Sequence, residues 1–202
     1  KFDKNNTINK IRYFYQPNKG RAETLLKLIN LTSKKYLMIL DDDDLLPDDF
    51  FKKLEIINNY LNKYKAKYND SLRLAGISFL CSDNKNKLIG DKFKKNYMIS
   101  NFFNVLFLDK KKGDSGDILE TKVLKNNLYK IKKNEKRAST GLLHLKISKN
   151  YNFVFINSVL KIKRYFDDGI SKNILYFKSI SPNYSVEYEK LILSYKKLPI
   201  LI

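Results

Sequence analysis

A run of five apolar residues that ends abruptly in four aspartates constrains most strongly what this chain can fold into. Residues 36–40 read YLMIL, and residues 41–44 are all aspartate. A short, wholly apolar run is typical of a strand that is covered on both faces in a mostly parallel sheet. Four ionised carboxylates cannot be buried unpaired, because each loses much of its hydration and they repel one another. The pattern therefore predicts a buried strand whose carboxyl end meets a positive partner.

Helical and strand patterns alternate along the rest of the chain. Strand formers occupy residues 11–15, and apolar residues recur at helical spacing over 22–31. A second helix is expected to begin near Pro47, with a buried stripe of Phe50, Phe51, Leu54, Ile57 and Leu61. Further strands are predicted at 74–81 and 153–163, and further helices at 141–149 and 187–195.

The order strand, helix, strand, helix predicts an α/β fold with a mostly parallel sheet flanked by helices. In such sheets, ligands bind beyond the carboxyl ends of the strands, and the four aspartates follow such an end. The chain contains no internal repeat and no low-complexity linker, so residues 1–202 are predicted to form a single domain.

A divalent cation is the partner that the acidic run favours. Mg²⁺ and Mn²⁺ take oxygen ligands and commonly bridge one or two carboxylates to substrate phosphates. Asp41 and Asp43 are two residues apart, so both can approach one side of the turn, and Asp44 is a further candidate ligand. Helix capping is the alternative, and it accounts for the aspartates at 48 and 49 but not for four aspartates before Leu45.

Other kinds of reactive or binding site lack their residues. Neither the P-loop nor the dinucleotide-binding glycine pattern occurs among the seven glycines. Cys81 is the only cysteine and lies in a strand-like run, which predicts a packed thiol, and zinc sites built from cysteine and histidine lack ligands. His144 is the only histidine and lies in an apolar helical pattern, so we interpret it as a core or surface residue.

The formal net charge of +19 suggests anionic partners. The type of basic residue that carries this charge helps to distinguish a nucleic acid from a membrane surface. Only five of the 40 basic residues are arginine, the side chain that nucleic-acid recognition favours. We therefore expect a solvated lysine coat, with peripheral contact to an anionic membrane as its functional form and no nucleic-acid partner. A cationic nucleic-acid-binding protein is the alternative class. The single cysteine and the lack of a long apolar segment predict a cytoplasmic protein, at most peripheral to the inner face of the plasma membrane.

Several motifs, in order and spacing, resemble family-two inverting glycosyltransferases of the GT-A fold. The first two are YQPNKGR at 15–21 and LDDDDLLP at 40–47. Further motifs look like landmarks of a bacterial subgroup that builds surface polysaccharides: IGDKF at 89–93, KGD at 112–114, TKVL at 121–124, EK at 135–136, FIN at 155–157 and YFDDGISKN at 165–173. Together they span almost the whole chain.

This resemblance implies a Rossmann-like GT-A sheet and a defined reaction. A sugar would move, with inversion, from a nucleotide-diphosphate donor to a saccharide or lipid-linked acceptor. The resemblance assigns Mn²⁺ or Mg²⁺ to Asp41 and Asp43, and a phosphate or nucleotide contact to Arg21. Asn18 and Asp42 are the neighbouring candidates for donor binding.

Two features depart from the family pattern. The family domain opens with a strand, a loop, a helix and a second strand that receive the nucleotide base, and none of these precedes Lys1, so we expect a domain that is incomplete at its N-terminus. The carboxylate that serves as general base aligns with Thr140, which does not usefully accept a proton near neutrality. Glu135, Asp114 and Asp117 are the substitutes, and a catalytically inactive remnant of the fold is the alternative function.

Overall fold

A five-stranded sheet with helices on both faces forms the centre of the molecule in a computed structural model. The structure describes residues 11–68, 73–132, 134–135, 137–164 and 174–195. The strands are β1 (Tyr36–Met38), β2 (Leu74–Ser82), β3 (Met98–Ser100), β4 (Ser115–Glu120) and β5 (Asn152–Ile162). The helices are α1 (Gly20–Leu31), α2 (Phe50–Tyr68), α3 (Thr121–Asn126), α4 (Thr140–Ser148), α5 (Ile174–Ser179) and α6 (Pro182–Leu193), and a π-helical turn covers Asn104–Leu108.

The strands follow the order β1-β4-β2-β5-β3 and form a mixed sheet. Strand β4 is antiparallel to both β1 and β2, and β3 is antiparallel to β5, so among the described strands only the β2–β5 pair is parallel. The α/β prediction is confirmed, and the prediction of a mostly parallel sheet is wrong. Two strands that were not predicted run against their neighbours: β3 at the sheet edge, and β4, whose sequence SGDILE has weak strand propensity at Gly116 and Asp117.

Side chains of β5 alternate between two apolar layers. Phe153 and Phe155 point into the larger cluster, which also contains buried residues of α1, α3, α4 and α6. Val154 and Ile156 point into the smaller cluster, which packs beneath α2 around Ile57. The alternation is that of a strand buried on both faces, and it sets the two helical layers on opposite sides of the sheet.

The N-terminal elements differ most from expectation. Residues 11–15 carry strand formers but form no strand in the structure, and their side chains are exposed. Strand β1 covers only three of the five apolar residues and lies at an edge of the described sheet, where Tyr36 and Leu40 are nearly half exposed. Leu37 and Ile39 pack against one apolar cluster and Met38 against the other, so both faces of the strand are partly covered, although none of residues 36–40 is fully buried.

Four elements, α1, β2, α4 and β5, lie within two residues of their predicted bounds, whereas β3, β4, α3 and α5 were not predicted. Helix α2 begins at Phe50 and not near Pro47, and Phe51 of the predicted buried stripe is 76% exposed. Helix α6 begins at Pro182, five residues before its predicted start. Cys81 is fully buried, and burial raises the pKa of its thiol to about 12, which confirms a packed thiol.

In the part of the chain that the structure describes, no helix combines the length and the apolar character needed to cross a bilayer. The motif at 165–173 lies outside the described residues, as do residues 1–10.

Candidate functional site

The four aspartates form a turn at the carboxyl end of β1, as the sequence predicts. The amide of Asp44 donates to the carbonyl of Asp41 at 3.1 Å, which closes the turn. The next residue, Leu45, exchanges two backbone hydrogen bonds of 2.8 Å with Ile162 at the end of β5. The acidic turn is therefore fixed on both sides, by β1 before it and by β5 after it.

Asp44 lies in the interior and forms a buried ion pair. Its Oδ2 is 2.6 Å from Nζ of Lys161, and the two side chains are 2% and 8% exposed. Lys161 also donates to the carbonyl of Ile39 at 3.3 Å. One ammonium therefore contacts Ile39, before the acidic turn, and Asp44, its last residue. The positive partner that the sequence demands is thus supplied, for Asp44, by a lysine of β5.

Asp41 faces outward and is held by Arg21 of α1. The guanidinium Nη2 lies 3.1 Å from Oδ1 and 3.3 Å from Oδ2, and Nε lies 3.3 Å from Oδ1. Each side chain is about one-third exposed, so water screens this pair and its rearrangement costs little. Burial and the nearby Arg21 charge lower the pKa of Arg137, which indicates that positive charge accumulates near this end of α1.

The remaining residues of the predicted set lie around the same turn. Asp43 is half-buried and Asp42 is exposed. Asn18 is exposed, and its side-chain oxygen accepts the amide of Gly20 at 2.9 Å, just at the start of α1. Asp43 thus shares a turn with Asp41, whereas Asn18 contacts the backbone of its own loop.

Two glycine-containing loops place Asp114 beside the turn. Gly90 and Gly113 both adopt a positive φ, near 83° and 84°, and a Cβ on Gly90 would lie 2.4 Å from the Cα of Gly113. The loops are also joined by the amide of Lys112, which donates to Asp91 at 2.9 Å. The IGDKF and KGD motifs therefore pack directly against each other.

Asp114 pairs with Lys163, which follows β5. The Lys163 Nζ lies 2.6 Å from Oδ2 of Asp114. Burial alone lowers the pKa of Lys163, but the hydrogen bond and the charge of Asp114 outweigh it, so the pKa is raised. This lysine therefore remains a cation at the edge of the site.

His144 and Asp117 form a close imidazole–carboxylate pair that the sequence interpretation missed. The His144 Nε2 lies 2.8 Å from Oδ2 of Asp117, and each side chain is 15% exposed. The imidazole stacks on Phe102, with ring centroids 4.0 Å apart and an interplanar angle of 4°. One signal could have indicated His144, since it lies four residues after Thr140 and hence on the same face of α4.

These residues line one cleft of about 120 Å³ between α1, α4 and the ends of β1, β4 and β5. Its charged and polar wall consists chiefly of Arg21, Asp41, Asp114, Asp117, Thr140, His144, Lys161 and Lys163. A larger groove of about 460 Å³ lies on the opposite face of the sheet, under α2, and its wall is mainly apolar. Because reactive side chains converge in the smaller cleft, we take that cleft as the candidate site.

Glu135 lies away from this cleft and supports the start of α6. Its carboxylate accepts the amides of Asn183 at 2.8 Å and Tyr184 at 3.0 Å, and the side chain of Asn183 at 2.6 Å. Burial raises the pKa of Glu135, but these hydrogen bonds outweigh it and the pKa is lowered. The contacts give Glu135 the role of a helix-capping carboxylate and leave the cleft to the other candidates.

We expect Glu135→Gln to lower the free energy of unfolding by about 1–3 kcal/mol at neutral pH, because an ionised acceptor of three hydrogen bonds is lost. The lowered folded-state pKa means that this stabilisation is present above the ordinary carboxyl pKa and disappears as the pH falls through the folded-state value. Urea unfolding of the wild-type and Glu135→Gln proteins from pH 7 to pH 3 measures their free energies of unfolding, and the two values should converge as the pH falls.

The control is Glu187→Gln, on helix α6, whose start Glu135 caps. Glu187 pairs with Lys132 at 3.0 Å with both side chains about one-third exposed, so its loss should cost less than about 1 kcal/mol. Equal losses in the two variants would contradict the capping role of Glu135.

The acidic turn fits a divalent ion that shares its ligands with phosphates. Among the residues that the structure describes, no three His, Cys, Asp or Glu side chains gather as a complete protein cage requires. Mg²⁺ is commonly held by one or two carboxylates together with substrate phosphates and water. Asp41 lines the cleft, and Asp43, in the same turn, is half-buried and outside the cleft lining, so the second carboxylate of such a site stays a prediction.

Among known proteins, no family model matches this chain, and no curated protein does so. Conclusions about its function therefore depend on the chemistry of the cleft and on the motif resemblance.

Proposed function

We propose that this chain is a metal-assisted glycosyltransferase that moves a sugar, with inversion, from a nucleotide-diphosphate donor to a hydroxyl of a saccharide or lipid-linked acceptor. One observation carries the proposal. Arg21, Asp41, Asp114 and Thr140 are far apart in sequence and belong to separate stretches of the resemblance, yet all four line one cleft at the carboxyl end of β1. Such convergence is what a shared substrate site requires.

The charges of the cleft suit a diphosphate. The partly exposed Arg21–Asp41 pair can open when a donor enters, which frees the guanidinium for a phosphate and the carboxylate for a cation. Lys163 adds a second cation at the cleft wall. A divalent ion held by Asp41 and Asp43 would neutralise the charge of the departing diphosphate.

The net charge of the chain supports an acceptor at a membrane surface. A lipid-linked acceptor lies at a membrane surface, and the net charge of +19 attracts the chain to anionic lipids there. The resemblance places this chemistry in bacterial surface-polysaccharide synthesis.

Thr140 favours a second candidate, a donor-binding remnant without transfer activity. It lines the cleft at the position that the resemblance gives to the general base, and its hydroxyl is a poor proton acceptor. The two candidates share donor binding and differ in turnover.

Turnover of sugar nucleotides separates the two candidates. The chain is incubated with UDP-glucose, UDP-galactose, UDP-N-acetylglucosamine and GDP-mannose in Mn²⁺, with and without simple sugar acceptors, and released nucleoside diphosphate is measured. Release that requires Mn²⁺ and stops with EDTA supports the transferase. Binding without release supports the remnant, and neither binding nor release refutes both.

A further inference from the structure

The His144–Asp117 pair lies where proton transfer would be needed. His144 is one helical turn from Thr140 on the same face of α4, and both line the cleft with Asp41. A proton acceptor on this face could therefore serve the hydroxyl that Thr140 cannot serve. The imidazole is the one base of this kind in the whole chain, because His144 is its only histidine.

The pair is oriented for this task on two sides. The Oδ2 of Asp117 lies 2.8 Å from Nε2, a separation that favours the ring proton on Nε2 and leaves Nδ1 as the proton-accepting nitrogen of the neutral ring. Phe102 fixes the ring plane by parallel stacking, and Phe153 contacts it edge-on at 6.3 Å between centroids. An oriented imidazole whose partner is a carboxylate is the arrangement of a general base.

The other acids that line the cleft are each paired with a cation. Asp41 is bound by Arg21, and Asp114 is bound by Lys163 at 2.6 Å. The partner of Asp117 is an imidazole, and its second oxygen, Oδ1, is buried without a hydrogen-bond partner among the described residues.

We propose that His144, oriented by Asp117, takes the proton of the acceptor hydroxyl in this cleft, an inference that rests on the proposed glycosyl transfer. The acceptor O–H proton moves to the imidazole as that oxygen forms its bond to the anomeric carbon. The bond from the anomeric carbon to the diphosphate oxygen breaks, and the diphosphate leaves with the electron pair. His144 is then a catalytic residue, and Asp117 is a positioning residue that stabilises the imidazolium.

Charged groups from four other elements line the cleft together with His144. They are Arg21 of α1, Asp41 of the acidic turn, Asp114 and Asp117 at β4, and Lys161 and Lys163 at β5.

We expect His144→Gln to lower the rate of nucleoside diphosphate release by about 100-fold or more, because general-base catalysis commonly supplies that factor. The affinity for UDP in Mn²⁺ should stay within about twofold, because neither side chain of the pair is a proposed donor ligand. The wild-type rate should rise with pH as the imidazole loses its proton, and this rise should be absent from His144→Gln. Asp117→Asn should lower the rate less.

Further variants separate catalysis from folding. His144→Phe keeps an aromatic ring against Phe102. It should be as inactive as His144→Gln but should unfold at a temperature similar to that of the wild-type protein. Asp109→Asn is the matched control for Asp117→Asn, because Asp109 pairs with Lys94 at a site outside the cleft. It should retain the wild-type rate.

Nitrogen-15 spectra of histidine-labelled protein give a readout that does not depend on turnover, since a single residue is observed. The neutral ring should carry its proton on Nε2, and Asp117→Asn should redistribute that proton between the two nitrogens. Release by His144→Gln at the wild-type rate, or a ring protonated on Nδ1, overturns the inference while the proposed transferase stands. A wild-type chain that releases no diphosphate refutes the transferase, and the inference with it.

Discussion

Replacing Lys161 with methionine is expected to lower the free energy of unfolding by about 3–5 kcal/mol, because it leaves a buried carboxylate without its cation. The Asp44 and Lys161 side chains are 2% and 8% exposed and lie 2.6 Å apart. Methionine keeps most of the lysine volume, so the lost free energy of unfolding reflects the missing charge and not a cavity. Urea unfolding followed by circular dichroism measures it.

Lys163→Met is the matched control, two residues further along the chain. Lys163 is 20% exposed and its partner Asp114 is 44% exposed, so this change should cost no more than about 1 kcal/mol. Both variants remove one positive charge from a chain of net charge +19, so any general relief of repulsion is the same. The double variant Lys161→Met with Asp44→Leu should recover most of the lost stability. Equal losses in the two single variants would mean that the buried pair has no special structural role.

The second large effect concerns the acidic turn. We expect Asp43→Asn to weaken the Mn²⁺-dependent affinity for UDP by about 100-fold or more, because loss of a direct ligand should exceed the effect of losing an outer-shell partner. The change preserves shape and removes one charge. Isothermal titration calorimetry with UDP, in Mn²⁺ and in EDTA, measures the affinity.

Asp48→Asn provides the comparison for charge alone. Asp48 is exposed, belongs to the same acidic stretch and follows the turn. It should keep the wild-type affinity within about twofold, since a screened surface charge contributes little. If Asp48→Asn and Asp43→Asn weaken UDP binding equally, the effect arises from the loss of negative charge in general, and the turn is not a metal site.

Local periodicity was sufficient to predict several of the elements that carry the site. The apolar spacing of α1 and the continuous apolar run of β5 are encoded within each segment, so both were found within two residues of their bounds. The position of the acidic turn followed from the same reasoning. What the sequence could not supply was the set of partners, because Lys161 and Asp44 meet only through the pairing of distant segments.

Strand β4 shows why the rest was missed. Gly116 leaves room for the ring of Phe79, since a Cβ there would lie 2.3 Å from that ring, and Asp117 serves the cleft. Both residues are chosen for contacts and not for strand propensity, so the pattern is weak where the fold is most specific. His144 was interpreted as a core or surface residue for the same reason, because its partner lies on the strand that was not predicted.

The location of the donor relative to His144 tests the central claim most directly. Mn²⁺ is paramagnetic and broadens the signals of nuclei near it, and the single imidazole reports on this cleft alone. We predict that Mn²⁺ with UDP broadens the His144 ring signals, that Mg²⁺ with UDP shifts them without broadening, and that Asp43→Asn prevents the broadening. Binding of UDP and Mn²⁺ with ring signals that stay sharp would place the nucleotide elsewhere and contradict the account.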